Sequence, residues 1–533
     1  MKRADSHRTP PAQPLQLQLA LEPEHGEPRL PVSPAITPVL LCGGTGARLW
    51  PLSRRSLPEP FVPLAGGHSP MAQALQRLGQ LGPPHRSVLC VVPEAHRFLA
   101  LEALKASRLA ARLLLEPEAR GTAAAIALAA LASPADALLL LCPADHQLPD
   151  ASTFVETVQR AVGAAQAGAI VCFGVVPSAP SSVHGYLELG AQRPDGSHSV
   201  LRLTDQPAPA KARRLLVQGG VLWNAGLYLA SADTLLHTLA QLAPDVLHSC
   251  QAAMSAAGRG TVPAADHPVS FMRPHASHYL ACRTQRFDLL LASARPLVVW
   301  PMAGRWSQLG SWKAVAALAP RDAKGNHVHG QGHTLQARNT YVHASHRTVL
   351  ALGTQDLVIV DTPDALLVAH RDHTDQLSAA MEQLQDGGTP LASAPQKINY
   401  PWGWQDSVSQ GAHHRVRRIG LQPGASLGPR KHHHRAEHWI VVHGTAEVSR
   451  GSERFLLAEN QSAFVPAGET YRLHNPGRVE LEMVEVQSGR YLGEDDTVPL
   501  DGPDSAAPEP AAPTSPTGFT TDPAPAAAAH AQR

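Results

Sequence analysis

The chain has 533 residues, which exceeds the usual size of a single hydrophobic core and predicts two or three domains. Its net charge of +1 provides no general attraction to nucleic acid or to an anionic membrane, so neither is expected as a partner. The six cysteines include no CxxC pair, which argues against a disulfide framework or a cysteine zinc site and favours a reducing cytoplasm. No apolar run reaches the length of a signal peptide or a membrane span, so we expect a cytoplasmic protein.

The character of the sequence changes several times along the chain. Residues 1–36 are rich in proline, glutamine and glutamate and predict a disordered leader. Over residues 37–324, short apolar runs such as Ile36–Leu41 alternate with helical stretches such as Thr122–Leu131. This alternation is typical of an α/β fold, in which a parallel sheet is covered by helices.

The second half of the chain has a different pattern. Residues 325–386 predict a short β segment with Asn, Gly and His turns, followed by a helix from about residue 371. Residues 387–397 have the composition of a linker. Residues 398–501 repeat strand patterns without a helix and predict a small all-β barrel, while residues 502–533 form a disordered Pro/Ala tail.

A glycine-rich loop follows the first predicted strand. Gly43, Gly44 and Gly46 would let backbone N–H groups approach an anionic phosphate, because glycine has no Cβ in the way. Arg48 would then clamp the phosphate oxygens with its forked guanidinium group. Such a loop is weak evidence alone, since turns after buried strands often use glycine for their geometry.

The longer string LCGGTGARLWPLSR (41–54) is far more specific. It resembles the signature of the sugar-phosphate nucleotidyltransferases, and especially the bacterial mannose-1-phosphate guanylyltransferases. Further segments resemble this family in the same order: EPEARGTA (116–123), PADH (143–146), HGY (184–186), WNAG (223–226), WSQLGSW (306–312) and DTPDA (361–365). Segments HHHRAEHW (432–439) and EVQSG (485–489) resemble the cupin-type mannose-6-phosphate isomerase domain that many bacteria fuse to this enzyme.

The resemblance covers about residues 37–501. It implies a Rossmann-like three-layer nucleotidyltransferase domain, a short β segment and a cupin barrel. It implies transfer of a guanylyl group from GTP to mannose 1-phosphate, which yields GDP-mannose for polysaccharide biosynthesis, with mannose 6-phosphate as substrate of the isomerase-type domain. A homo-oligomer is compatible with this resemblance.

The family's functional residues are carried over position by position. The resemblance implies Arg48 and Asp145 as catalytic residues, with Asp145 as a ligand of Mg²⁺ that accompanies GTP. It implies nucleotide binding by Gly43, Gly44, Gly46 and Arg48. It implies substrate binding by Arg120, Gly185, Tyr186, Asp205 and Asn224. In the cupin it implies a Zn²⁺ or other divalent ion at His432 and Glu437.

Three substitutions alter the charge of the implied transferase site. Glu59 stands where the family has a lysine that faces the phosphates, in PEPF instead of P-K-Q-F. At about 4 Å and an effective dielectric of about 20, one charge is worth roughly 4 kcal/mol, which corresponds to about a thousandfold in rate. Gln308 replaces the second metal-binding aspartate, and a neutral amide is a poor Mg²⁺ ligand. Gln206 replaces a lysine next to Asp205. Arg55 would either swing toward the phosphates or remain a surface residue.

The cupin site also departs from the family. Arg430 and Tyr471 replace two of four metal ligands, so we expect an empty or weakly filled site. A shifted set that adds His434, with Tyr471 or His474, would still offer three N or O ligands.

Some of these residues have ordinary structural roles as alternatives. Asp145 and His146 would also suit a helix cap after a strand. Trp306 and Trp312 are expected in the core, and Cys42 is expected to pack beside the loop. Two functional hypotheses therefore stand: an active guanylyltransferase with a fused isomerase-type cupin, or a catalytically impaired paralogue that binds a sugar nucleotide or a partner subunit.

Overall fold

The computed structural model describes residues 35–500, apart from 45, 65–66, 82–86, 263–268, 295, 387–394 and 401. Nearly all of the predicted leader, most of the predicted linker and the whole predicted tail lie outside the described residues. Within the described ranges, no helix combines the length and the apolar character needed to span a membrane.

The first part of the chain alternates strands and helices. Its strands are β1 Ile36–Leu41, β2 Val88–Pro93, β3 Ala111–Glu116, β4 Leu138–Pro143, β5 His146–Gln147, β6 Ile170–Val175, β7 Tyr186–Gln192, β8 His198–Thr204, β9 Val221–Ser231, β10 Gly258–Val262, β11 Val269–Arg273, β12 Leu297–Pro301 and β13 Ser307–Gln308. Its helices are α1 Pro70–Leu78, α2 Arg97–Ser107, α3 Thr122–Leu131, α4 Ala151–Gln166, α5 Pro209–Gln218, α6 Ala232–Leu242, α7 Pro244–Ser255, α8 Ala276–Leu280, α9 Phe287–Leu291 and α10 Trp312–Leu318.

Eleven of these strands form one mixed sheet in the order β10-β11-β3-β2-β1-β4-β9-β6-β12-β8-β7, and β5 pairs with β13 separately. The neighbours β3, β2, β1 and β4 are parallel and almost wholly buried, as expected for strands with helices on both faces. Leu40 belongs to an apolar cluster with α1, α2 and α4, whereas Val39 belongs to a second cluster with α3, α6 and α7. The predicted three-layer α/β fold is therefore confirmed.

In the β segment that follows, successive strands wind round to lie side by side, and this segment is called the β coil below. It consists of β14 His327–Leu335, β15 Tyr341–Leu352, β16 Leu357–Asp361 and β17 Leu366–His370, followed by α11 Leu377–Asp386. Strands β14, β15 and β16 are parallel, although only residues 336–340 connect β14 to β15. Parallel neighbours normally need a crossover of about a dozen residues, so the chain must wind round to bring each strand beside the previous one. The sequence predicted the strands but not this winding.

The last part of the chain is an antiparallel β structure. Its strands are β18 Lys397–Tyr400, β19 Gly403–Gln410, β20 His414–Leu421, β21 Ser426–His432, β22 Arg435–His443, β23 Ala446–Arg450, β24 Glu453–Leu457, β25 Ser462–Val465, β26 Tyr471–His474, β27 Leu481–Gly489 and β28 Thr497–Pro499. They form sheets of six and five strands that enclose a core containing Trp439, Leu473 and Met483. The predicted all-β cupin barrel is confirmed.

Glu116 ends strand β3 with a buried carboxyl group that accepts a hydrogen bond from the Tyr279 hydroxyl. Burial raises the pKa of Glu116 from 4.5 to about 7, although the bond from Tyr279 opposes this shift. Between pH 4.5 and about pH 7, the Glu116 carboxyl group is protonated in the folded protein and ionised in the unfolded chain. Stability is therefore expected to fall as pH rises through this window, by about 1.4 kcal/mol per pH unit.

We predict that Glu116→Gln removes this pH dependence, because glutamine cannot ionise. The unfolding free energy of the variant, relative to the unsubstituted protein, should grow from about pH 5 to about pH 7 and then level off. Denaturant titrations at several pH values measure this difference. A difference that stays constant with pH would contradict the prediction.

Candidate active site

A cavity of about 440 Å³ lies where the parallel strands of the large sheet end. Loops at the carboxyl ends of adjacent parallel strands meet at one edge of a sheet, which is how β1 and β4 bring Gly43 and Asp145 together. The predicted site residues that line this cavity are Gly43, Gly44, Arg48, Asp145, Gly185, Asp205 and Asn224.

Two predicted substrate-binding residues do not line the cavity. Tyr186 is fully buried in an apolar cluster, and its hydroxyl accepts a hydrogen bond from the Ser181 N–H at 2.8 Å. Gly185, immediately before strand β7, lines the cavity, whereas the Tyr186 side chain packs with Leu215 and Trp223. Arg120 forms an ion pair with Glu118 at 3.0 Å, next to the cavity-lining Gly121.

Gly46 shapes the loop instead of lining the cavity. Its φ of +72° is a conformation that other residues rarely adopt, and a Cβ there would lie 2.0 Å from the carbonyl oxygen of Arg54. The Ser53 hydroxyl donates to the Gly46 carbonyl at 2.8 Å, and the Leu49 N–H donates to Ser53 Oγ at 3.2 Å. These contacts close residues 46–54 into a compact turn that carries Arg48.

Glu59 is buried against the glycine loop. The Arg48 N–H donates to Glu59 Oε1 at 3.1 Å, and a Cβ on Gly44 would lie only 2.8 Å from Glu59 Oε2. The residue is 6% exposed and lines, with Asp145, a smaller cavity of about 260 Å³ next to the loop. The Glu59 carboxylate thus accepts the hydrogen bond of a loop N–H that would otherwise be available to a phosphate oxygen.

The pKa of Glu59 reflects this position. Burial raises the pKa most, and the charge of Asp145 raises it further. Hydrogen bonds from the backbone N–H groups of Glu59 and Arg48, together with the Arg48 charge, act in the opposite direction. The net shift is upward, which means that the cleft disfavours this negative charge.

Asp145 is the residue best placed to hold a cation. Strand β13, which contains Gln308, pairs with strand β5. Gln308 Nε2 donates to Asp145 Oδ2 at 3.1 Å. This bond engages Oδ2, and Oδ1 lies 3.8 Å from His146 Nε2. Because a carboxylate has about four acceptor positions, both oxygens keep capacity for a divalent ion. Mg²⁺ is often held by one or two carboxylates plus substrate phosphates, so the residues fit such an ion, with one carboxylate fewer than the family's pair.

The cavity is also lined by residues that the sequence did not predict, Arg286 and Asp288. Arg286 bridges two carboxylates: its Nη1 lies 3.1 Å from Asp205 Oδ2, and its Nε donates to Asp288 Oδ1 at 3.2 Å. Asp205 is 81 positions from Arg286 in the chain, and no local pattern links the two residues. Only the folded chain brings them together.

Aromatic side chains also line the cavity, and Trp306 packs edge-on against His146 with ring centroids 5.6 Å apart. The His184 ring lies between Trp223 and Trp306, with ring centroids 4.9 and 5.0 Å away. Burial lowers the pKa of His184 to about 4, so this ring is neutral near pH 7. Trp306 lines the cavity and also packs against two apolar clusters, and Trp312 is fully buried as expected. The sequence did not predict this aromatic cluster.

In the cupin, the two predicted metal ligands bond to each other. His432 Nε2 lies 2.9 Å from Glu437 Oε1 and 2.6 Å from the Tyr471 hydroxyl. Trp439 Nε1 and Gln487 Nε2 also donate to the Glu437 carboxylate, at 3.2 and 2.8 Å. Burial pushes the pKa of Glu437 upward, but the bond and charge of His432 and the charges of nearby arginines hold it at about 2. Glu437 is therefore an ionised group whose acceptor oxygens are already engaged.

The surroundings of this pair oppose a cation. The cavity beside it measures about 10 Å³ and is lined by Arg417, Arg430 and Arg435. Within the described part of the chain, no three His, Cys, Asp or Glu side chains form a group suited to a metal ion. The donor set does not fit a divalent metal.

The shifted ligand set is not assembled either. His434 is largely exposed, and its Nδ1 lies 2.7 Å from Asp496 Oδ1. His474 bonds to Ser426 Oγ at 2.9 Å. Neither histidine lines the cavity next to His432.

Comparisons with known proteins agree with this architecture. Residues 37–325 match the family "Nucleotidyl transferase", residues 326–384 match "MannoseP isomerase/GMP-like beta-helix domain", and residues 388–502 match "Mannose-6-phosphate isomerase C-terminal". The chain is 39% identical over 468 residues to xanthan biosynthesis protein XanB of Xanthomonas campestris pv. campestris (strain B100), which covers 87% of this chain and 97% of that protein. It is 36% identical over 471 residues to a mannose-1-phosphate guanylyltransferase of Klebsiella pneumoniae, with 87% and 98% covered.

A solved structure is also similar. The crystal structure of mannose-1-phosphate geranyltransferase from Thermus thermophilus superposes with a TM-score of 0.57 and 26% identity, over 66% of this chain and 99% of that one. The relatives are matched over almost their whole length, and both the nucleotidyltransferase fold and the cupin are present. The chain therefore belongs to the nucleotidyltransferase family, as a mannose-1-phosphate guanylyltransferase relative with a fused mannose-6-phosphate isomerase-type domain.

Proposed function

We propose that this protein transfers the guanylyl group of GTP to mannose 1-phosphate with Mg²⁺, and so supplies GDP-mannose for a polysaccharide. The observation that carries this proposal is one cavity that brings a glycine loop, Arg48 and Asp145 together with Asp205 and Asn224. The loop, Arg48 and Asp145 suit a triphosphate and a metal ion, and Asp205 and Asn224 offer a carboxylate and an amide to sugar hydroxyls. The name of the Xanthomonas relative supports the polysaccharide pathway.

We propose the following domain division: a nucleotidyltransferase domain at 37–324, a coiled β segment with its helix at 325–386, a linker at 387–397 and a cupin at 398–501. Support comes from the five sheets, each of which takes all its strands, to within one residue, from one proposed division, and from the boundaries of the family matches.

In this proposal the phosphate of the sugar attacks the α-phosphorus of GTP, and pyrophosphate leaves. Backbone N–H groups of the loop bind phosphate oxygens, and Arg48 neutralises charge where two anions approach each other. Asp145 holds the divalent ion, which adds positive charge at the phosphates when bound. Asp205 and Asn224 orient the sugar. Arg286 fixes the direction of the Asp205 carboxylate through their ion pair.

Glu59 limits this reaction, in our proposal, because its carboxylate competes with the triphosphate for the Arg48 N–H and repels it. The full-length relatives nevertheless favour an enzyme over a paralogue that only binds a nucleotide or a partner. We therefore propose weak transferase turnover with measurable GTP binding.

For the cupin we propose that it holds no divalent ion and isomerises mannose 6-phosphate weakly or not at all. The support is chemical: the Tyr471 hydroxyl and Glu437 already occupy His432 Nε2, and three arginines line the cavity. A cation there would find His432 and Glu437 already engaged in hydrogen bonds, and the arginines would repel it.

The first prediction of this proposal concerns Glu59. Glu59→Gln removes the negative charge and keeps an acceptor for the Arg48 N–H, whereas Glu59→Lys adds a positive charge next to the phosphates. We expect Mg·GTP to bind about tenfold tighter to the Gln variant and tighter again to the Lys variant, where each tenfold is about 1.4 kcal/mol. Calorimetry measures both affinities.

Glu156→Gln is the matched control, because Glu156 is exposed on α4 and lines neither cavity near the loop. It should leave GTP affinity unchanged. Unchanged or weaker binding in both Glu59 variants would show that this carboxylate does not oppose the nucleotide.

The second prediction concerns the metal ligand. Gln308→Asp places a second carboxylate next to Asp145, so the Mg²⁺ concentration needed for half-maximal pyrophosphate release should fall. Combined with Glu59→Lys, the gain in turnover should exceed the product of the two single gains, since both act on one metal–phosphate unit. Gln147→Asp on the paired strand β5 is the control. Strictly multiplicative gains would contradict the coupling.

The third prediction concerns the cupin. Arg430→Gln with Tyr471→His removes a cation and returns an imidazole beside His432, so this double variant should retain about one zinc per chain after dialysis. The unsubstituted protein should retain none, as metal analysis would measure. His434→Ala, an exposed histidine, is the control. One tightly held zinc in the unsubstituted protein, with isomerase turnover, would refute the proposal.

A further inference from the structure

The loop that presents Arg48 rests on a buried ion pair with the β coil. Arg54, at the end of that loop, is fully buried, and its Nη2 lies 3.1 Å from Asp364 Oδ2, whose side chain is 6% exposed. Asp364 lies in the turn between β16 and β17, far along the chain from the loop. Burial lowers the pKa of Arg54, and Asp364 opposes this shift.

Arg54 is also the internal support of the loop. Its Nη1 donates to the carbonyl oxygens of Pro51 and Ser53, the latter at 3.1 Å. Its own carbonyl packs so closely against Gly46 that no Cβ fits between them. The loop is therefore folded around one guanidinium group, whose position Asp364 determines from outside.

The Asp364 carboxylate has two further partners. The Thr362 hydroxyl donates to Oδ1 at 2.7 Å, which fixes the carboxylate within its own turn. The Gln396 N–H, just before the first strand of the cupin, donates to Oδ2 at 3.2 Å. One carboxylate thus contacts the nucleotide loop, the coil and the start of the cupin.

Apolar packing follows the same route. Leu49 belongs to a cluster with Trp312 of α10 and with Val358 and Val360 of β16. Trp312 Nε1 donates to the Trp50 carbonyl at 2.8 Å. The segment after Gly46 therefore packs on the coil, while the glycines before it continue from the large sheet.

We propose that Asp364 is a positioning residue for guanylyl transfer: it fixes Arg54, and through Arg54 the segment that holds Arg48 against the triphosphate. This inference rests on the function proposed above. It assigns the coil a role in the transferase site, where otherwise it would only connect two domains. The Gln396 contact extends the same link to the cupin.

If the Arg54–Asp364 ion pair only stabilised the fold, a different experimental result would be expected. Buried ion pairs can often be replaced by apolar residues of similar size without loss of stability. The double variant Arg54→Met with Asp364→Leu should then recover folding stability. It cannot recover the bonds from Arg54 to the Pro51 and Ser53 carbonyls, so nucleotide affinity should remain low if the pair positions the loop.

The test compares Asp364→Asn with Asp361→Asn. Asp361 is a buried carboxylate of the same coil, 2.6 Å from Arg347, and its bonds are to Arg347 and within the coil. With the full chain, calorimetry gives the affinity for Mg·GTP, and hydrogen exchange without nucleotide gives the opening of amides 46–54. We expect Asp364→Asn to weaken GTP binding and to speed exchange about tenfold or more, and Asp361→Asn to change either by less than about twofold.

Equal effects of the two substitutions would overturn the inference, as would recovery of GTP affinity in the apolar double variant. If the unsubstituted protein binds no GTP, the proposed function fails, but exchange of amides 46–54 still decides the role of Asp364. Faster exchange confined to the loop supports positioning. Equal exchange in the loop and in β2 would show a general loss of stability and would refute it.

Discussion

The hydrogen bond from the Arg48 N–H to the Glu59 carboxylate is the contact on which the behaviour of the transfer site depends. A glycine loop attracts anions because its N–H groups converge and no side chains intervene. In this protein the loop already holds an anion that belongs to the chain. Asp145 adds a second negative charge nearby, so a triphosphate must overcome both repulsion and an existing bond. The geometry of a nucleotide site is therefore kept, while its electrostatics are partly reversed.

The segment with the glycine loop and Arg48 is supported by the large sheet before it and by the β coil against which it packs. The parallel strands β1 and β4 place Gly43 and Asp145 at one edge, and this alone would bring the proposed metal ligand to the phosphates. Arg48, however, belongs to a turn whose later residues pack on Trp312 and Val358 and pair with Asp364. Relative movement of sheet and coil would separate the cation from the metal ligand. Catalysis by positioned charge is sensitive to shifts of this kind.

Much of the fold follows from the sequence, because buried parallel strands and alanine-rich helices have strong local patterns and the matched segments occur in order. The winding of β14 to β16 did not follow, since a coil is set by which strands pair and not by local periodicity. The sequence indicated which residues would share a cavity where strand ends supply them, as for Gly43 and Asp145. It did not indicate them where long-range packing decides, as for Arg286 and its pairing with Asp205. Tyr186 does not line the cavity, because its side chain packs in an apolar cluster that the local sequence did not reveal.

The two altered sites differ most in the space that they leave for a ligand. Buried polar groups normally have partners, so an unpartnered atom needs an explanation. Such atoms occur at both sites among the described residues: His146 Nδ1 and Trp306 Nε1 belong to residues that line the transfer cavity, and His432 Nδ1 and Gln487 Oε1 lie in the cupin. The transfer cavity measures about 440 Å³, whereas the cavity beside His432 measures about 10 Å³. A bound ligand can therefore supply missing partners in the first site, while the second has room for little more than one water molecule. This difference favours ligand binding in the nucleotide cavity over the barrel.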